Sequence, residues 1–228
     1  DPCGDVRGEA DYRKGHISGA VNLGDPTRTL RTDHTEDYIA HDRLLKALGE
    51  AGIDPAREMV VYGTRAGAGA YFAQLTLAYL GGTSARVYHG GIEDWQGAGR
   101  ALATIARKLA PVALDLQPVA GLTLTTGEVL ERMGRPDVQI LDVRTAREFA
   151  GEDIRAIRGG HIPGAINIPY EENWVDPETP QKLARREIAS NEGMALKPAD
   201  RLRALYARLD PTKETIVWRP SMAGCLTN

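Results

Sequence analysis

Cysteine is almost missing from this sequence: 228 residues contain two, Cys3 and Cys225, at opposite ends of the chain. Thiols so few and so far apart make neither a disulfide framework nor the close Cys/His spacing of a zinc site, so the fold must be held by its own core. Excess positive charge is missing too, with 28 Lys and Arg against 31 Asp and Glu for a formal charge of -3. That balance excludes a polybasic nucleic-acid or membrane face as the basis of function. No apolar run approaches the roughly 20 residues that a membrane-spanning helix requires. Metal-site spacing, a phosphate-binding P-loop and a Ser-His-Asp set are also absent from the pattern, so neither a metal nor a cofactor is expected. The first residue is Asp1, which leaves targeting unread. A reduced, cytoplasmic setting is the default expectation for so few thiols, and a periplasmic one stays open.

What is present is 42% hydrophobic and 26% charged residues, ordinary for a globular chain with a sizeable core. The sequence also repeats itself. "DVRGEADYRKGHISGAVNL" (5–23) returns as "DVRTAREFAGEDIRAIRGGHIPGAINIP" (142–169), with eight more residues between the Asp and the His. "MVVYGTRAGAGA" (59–70) has its counterpart in "TIVWRPSMAGCL" (215–226). Two tandem homologous domains follow from this duplication: residues 1–102, a linker at 103–121, and residues 122–228. In the second copy, Thr125 or Thr126 caps a helix stopped by Gly134, "VQILDV", "GAINI" and "ETIVW" read as strands, and Leu202, Leu205, Tyr206 and Leu209 line one face of an amphipathic helix. The first copy adds helix "AYFAQLTLAYLGG", strand "ARVYHGG" and helix "IEDWQGAG". Strands alternating with helices at this spacing predict an α/β fold, a mostly parallel sheet in each domain with helices on both faces. The linker is long for a loop, so a helical stretch is expected within it.

The doubled Asp-Val-Arg with Gly-His-Ile-x-Gly-Ala, the later strand-plus-loop in each half, and "HGGIEDW" (89–95) together resemble a tandem rhodanese-type sulfurtransferase over nearly the whole chain. The resemblance implies two five-stranded parallel sheets flanked by helices, with the active site at a sheet's carboxyl edge. It also implies a chemistry: a loop cysteine takes the outer sulfur of a donor such as thiosulfate, becomes a persulfide, and passes the sulfur to cyanide or another thiophile. Backbone N–H groups curled around the thiol and a following helix N-terminus would lower its pKa and stabilise the anionic persulfide. In such tandem proteins the first domain shapes the cleft and the second carries the nucleophile.

The sequence departs from that pattern at both loops. The position after "VVY" is Gly63, so the first domain is expected to be non-catalytic, its Gly-rich loop with Arg65 being structural before it is an anion site. The position after "TIVW" is Arg219, and Cys225 lies six residues further on, where family geometry puts it past the loop and into packing. Cys225 is therefore the candidate nucleophile only by relocation, with Arg144, Arg147 and Arg219 as candidate anion-binding residues. Both domains read as clipped. Nine residues follow Arg219 where roughly 40 follow Gly63 before the linker, and "DPCG" stands where a strand is expected, although proline lacks a ladder donor. A truncated or frame-altered second domain, its sheet incomplete, is the expectation. His16 and His161, repeated even in the half without a thiol, are read as structural, and Asp5/Arg7 and Asp142/Arg144 as ion pairs at strand ends. The acidic "EDI" and "YEENWVDPE" stretches are read as solvated loops, Trp95 and Trp174 as packing residues. Two functions follow: thiosulfate sulfurtransferase with a small sulfur donor and a thiophilic acceptor, or a catalytically inactive module of the same fold that binds an anion or a protein. A phosphatase of related fold needs Cys-x₅-Arg, and only three residues follow Cys225.

Overall fold

The computed structural model describes residues 3–32, 37–154 and 158–218. The chain separates into two compact units, the first running through Leu122 and the second starting at Thr123.

In the first unit, β1 (Cys3–Asp5) leads into α1 (Glu9–Lys14), β2 (Ala20–Asn22), α2 (Pro26–Thr29), α3 (His41–Glu50), β3 (Met59–Tyr62), α4 (Ala68–Tyr79), β4 (Ala85–Val87) and α5 (Gly91–Gly97). The four strands are parallel in the order β2-β1-β3-β4. Side chains alternate across a pleated sheet, and the sequence uses both faces. Val21, Met59 and Val61 join Leu44, Leu48, Phe72, Leu75 and Leu77 in one core, while Ala20 and Tyr62 join Tyr12, Ile17 and Ile92 in another. The apolar α4 is buried along most of its length.

The second unit repeats the plan with α6 (Thr126–Arg132), β5 (Val138–Asp142), α7 (Ala146–Ala150), β6 (Ile166–Asn167), α8 (Thr179–Ala184), α9 (Ala199–Tyr206) and β7 (Glu214–Trp218). Its strands are parallel in the order β6-β5-β7. Both α6 and α7 start at complete capping boxes, Thr125 with Glu128 and Thr145 with Glu148. Each satisfies two N–H groups that the first turn would otherwise leave unpaired. Leu141, Val143 and Ile168 form one cluster, against Leu205, Tyr206 and Leu209 from the α9 end, and Ile140, Trp174 and Ile216 are buried besides.

Among the described residues the two parallel sheets hold four and three strands. Three expectations need correction. The "DPCG" segment does supply a strand, and a central one: the ladder begins at Cys3, after the proline, so no missing N–H enters it. Space at Gly4 is tight: a Cβ would lie 2.7 Å from Leu23 Cδ1, so a larger residue there would have to turn the Leu23 side chain aside. The stretch at 103–121 contains no helix; Pro111 and Pro118 interrupt any helical run. It is an extended strap on the first unit, exchanging both backbone hydrogen bonds between Ala103 and His16, donating from Val112 N to Gly49 O and from Val119 N to Tyr79 O, and packing Leu109, Leu114 and Leu116 onto the core. Finally, "YEENW" is not a solvated loop. Tyr170–Asn173 is a 3-10 turn in which Glu171, Asn173 and Trp174 are buried. Asn173 Oδ1 accepts from the Tyr206 hydroxyl at 2.9 Å and its Nδ2 donates to Tyr170 O.

Candidate functional site

Each sheet ends at its carboxyl edge in the same four-part latch. Asp5, fully buried at the end of β1, accepts Arg7 N at 2.9 Å and Arg7 Nη2 at 2.6 Å, and the same Nη2 donates to Gly15 O at 2.7 Å. In the second unit Asp142 accepts Arg144 N at 3.0 Å and Arg144 Nη2 at 2.6 Å, and Nη2 donates to Gly160 O at 2.7 Å. An asparagine completes both: Asn22 Nδ2 donates to Arg7 O and Asn167 Nδ2 to Arg144 O, each at 2.9 Å. Burial works against the Arg7 charge, but the hydrogen bond and attraction of Asp5 outweigh it and raise its pKa. The two asparagines are site residues that the motif reading missed, although "GAVN" and "GAIN" hold them at one offset from the histidine.

The histidines follow the same symmetry. His16 stacks on Tyr12 at 3.8 Å with Nδ1 2.9 Å from Tyr12 O, and His161 stacks on Phe149 at 3.6 Å with Nδ1 2.9 Å from Phe149 O. His16 is buried beneath the strap, its Nε2 3.2 Å from Ile105 O, whereas His161 is exposed.

The units differ in what stands beside the latch. Strand pairing sets Tyr62 opposite Asp5 and Trp218 opposite Asp142. The Tyr62 hydroxyl donates to Asp5 Oδ2 at 2.7 Å and accepts from Ile17 N at 2.9 Å. Burial, reinforced by the bond to Asp5, raises the Tyr62 pKa far above the usual tyrosine range. Indole has no hydroxyl with which to do this.

After β3 comes the loop Gly63–Gly67, which leads into the amino end of α4. Three of its N–H groups bond within the unit: Arg65 N donates to Glu93 Oε2 at 2.8 Å, Ala66 N to His89 O at 3.0 Å and Gly67 N to Thr64 O at 2.9 Å. The Arg65 side chain is buried and donates to Asp94 Oδ1. Thus the loop is held by two carboxylates of α5, Glu93 and Asp94. Gly91, the first residue of α5, has to be glycine: at φ +60 it lies so close to the loop that a Cβ would be 2.6 Å from Arg65 N. Beside it the Tyr71 hydroxyl lies 2.5 Å from His89 Nδ1, and burial pushes the Tyr71 pKa up to about 12.

Of the proposed anion-binding residues, Arg144 and Arg147 fall among the described ones, and they are held differently. Arg144 is one-tenth exposed and committed to the latch, while Arg147 is largely exposed on α7, 3.8 Å from Glu152. Arg219 and Cys225 lie outside the described residues. Cys3 is partly buried in β1, and desolvation together with the Asp5 charge raises its pKa to about 11. No group of three or more His, Cys, Asp and Glu able to hold a metal occurs among the described residues, and no described helix is long and apolar enough to cross a membrane.

Two tandem parallel α/β units, each latched at the carboxyl edge by the same Asp-Arg-Asn set, define a duplicated α/β protein of one domain type. The model of the Rhodanese-like domain matches residues 4–98 and again 125–217. The chain belongs to the rhodanese-like family, as a tandem pair. It is 31% identical over 188 residues to a thiosulfate sulfurtransferase of Azotobacter vinelandii, covering 79% of this chain and 66% of that one. Its fold is similar to that of SseA from Escherichia coli, described with the 3-mercaptopyruvate sulfotransferases, at TM-score 0.74 and 24% identity over 95% of this chain and 80% of the other. It is similar too to the anaerobic ergothioneine biosynthesis enzyme of Chlorobium limicola, at TM-score 0.74 and 22% identity, where 95% of this chain covers 54% of that one. The chain therefore spans from about half to four-fifths of these relatives.

Proposed function

We propose that the chain is a rhodanese-type sulfurtransferase whose second domain, residues 122–228, carries the chemistry, while the first, residues 1–102 with the linker 103–121 laid along it, is non-catalytic. The observation that supports this most directly is the duplicated latch, combined with the sequence difference of Gly63 against Arg219 at the start of the two loops. In the first unit the loop has glycine at the nucleophile position and meets its own Glu93. In the second unit β7 pairs with β5 in register through Trp218, directly before the loop. In the reaction a thiolate attacks the outer sulfur of thiosulfate, the new S–S bond forms as the old one breaks, and sulfite leaves with the bonding pair. A thiophile such as cyanide then takes that sulfur, and the thiolate returns.

With two cysteines the choice of nucleophile is narrow. Cys3, held protonated to about pH 11, is a poor nucleophile near neutrality, which leaves Cys225, with Arg144, Arg147 and Arg219 as the anion-binding set. Arg144 serves through the latch. A reducing cytoplasm suits persulfide chemistry. Thiosulfate:cyanide turnover is expected to persist in Cys3→Ser and vanish in Cys225→Ser. A second reading, an inactive module of the same fold that binds an anion or a protein, is favoured by Arg219 at the expected cysteine position. Zero turnover in the unsubstituted chain, with thiosulfate binding intact, selects it.

A further inference from the structure

We propose that the face of the first sheet opposite α2–α4 binds a small planar aromatic anion, a site independent of the sulfur-transfer reading. Strand register sets Cys3 beside Val60 and Asp5 beside Tyr62, so these side chains share one face. On that face opens a cavity of about 400 Å³ walled by Cys3, Ile17, Val60, Tyr62, Tyr88 and Trp95, with Arg100 also in its lining. That volume falls within the roughly 300–1,000 Å³ of small-molecule sites and suits a fused two-ring ligand.

The charges of the lining select the ligand. Cys3 is a neutral thiol below about pH 11. The Tyr62 hydroxyl is committed to Asp5, and Asp5 to Arg7. Arg100 is the one cation in the lining. Its guanidinium sits 4.9 Å from the Trp95 ring centre, and Trp95 is itself fixed by donation from Nε1 to Ala101 O at 3.1 Å. The cation is thus pre-positioned on an aromatic wall, which lowers the ordering cost of binding. Aromatic walls recognise a planar ring by stacking, and a guanidinium recognises an oxyanion. A planar arene bearing one sulfonate or carboxylate satisfies both.

The test uses the full chain carrying Cys225→Ser, so that Cys3 is the sole thiol, with 1-anilinonaphthalene-8-sulfonate as probe and uncharged N-phenyl-1-naphthylamine as its control. Fluorescence titration is expected to show one saturable site for each, and at about pH 9.5, where the fraction of Cys3 thiolate is large enough to alkylate measurably, either ligand is expected to slow its reaction with iodoacetamide. Arg100→Gln is expected to weaken the sulfonate about tenfold and leave the neutral amine within about twofold. Val60→Phe, or Ile17→Phe should the first variant misfold by circular dichroism, is expected to abolish both. The proposal is overturned by sulfonate binding that ignores Arg100, by binding that leaves Cys3 unprotected, or by no saturable binding at all.

Discussion

At the scale of single residues, the latch is where sequence and energetics meet. Asp5 and Asp142 are fully buried, and each is matched by a guanidinium no more than about one-eighth exposed. Removing one member of a buried pair strands the other, at a typical cost of about 3–5 kcal/mol. Asp142→Asn is therefore expected to lower the unfolding free energy by about 3 kcal/mol, measured by urea titration, whereas Asn167→Ala, which removes one neutral donor, should cost only about 1 kcal/mol. Equal losses from the two would contradict the latch. Cys3 supplies a pH signature. Its folded pKa is raised to about 11 against 9.0, so the stability it contributes is complete below pH 9 and is lost as pH rises through 11. Urea titrations from pH 8 to 11 should show that decline in the wild type and lose that component in Cys3→Val.

At the scale of elements, the loop after β3 is shaped by its neighbour α5. Ala66 adopts φ +57 and Gly91 φ +60, both in the left-handed region. Ala66→Gly relieves a strained conformation and is expected to stabilise by up to about 1 kcal/mol. Gly91→Ala drives a methyl into the Thr64–Arg65 backbone and should destabilise by about 2 kcal/mol or more; a thermal midpoint unchanged from wild type would show that the loop can move aside. Most elements were legible in the sequence because their signals are local: Thr125 before Glu128, alternation in "VQILD", the twinned "GHIxGA". What escaped was set by distant partners. The buried turn at Tyr170–Asn173 depends on Tyr206, more than thirty residues away, and an acidic stretch read alone gives no hint of it. The Glu93–Arg65 contact likewise joins α5 to a loop that only the fold makes adjacent, whereas Asn22 and Asn167 recur at one offset from the histidine in both halves of the repeat.

At the scale of the whole molecule, duplication has not produced two equal cores. The first unit buries Leu44, Leu48, Ile53, Val61, Phe72, Leu75 and others in one cluster, while the cluster of the second holds three buried side chains among the described residues. Burial of apolar area is the main source of stability. Amide exchange in β5 and β7 is accordingly expected to be faster than in β1 and β3, as mass spectrometry of exchanged peptides would show; slower exchange in β5 would mean that the second unit draws stability from elsewhere. The strap from Ala103 to Val119 bears on how this chain could be engineered. Its backbone is tied down at His16, Gly49 and Tyr79, so the stretch that looks like a spacer in the sequence is the wrong place to splice in a foreign domain. The turn at Ala120–Gly121, exposed and with open space around Gly121, is where an insertion leaves the first unit whole.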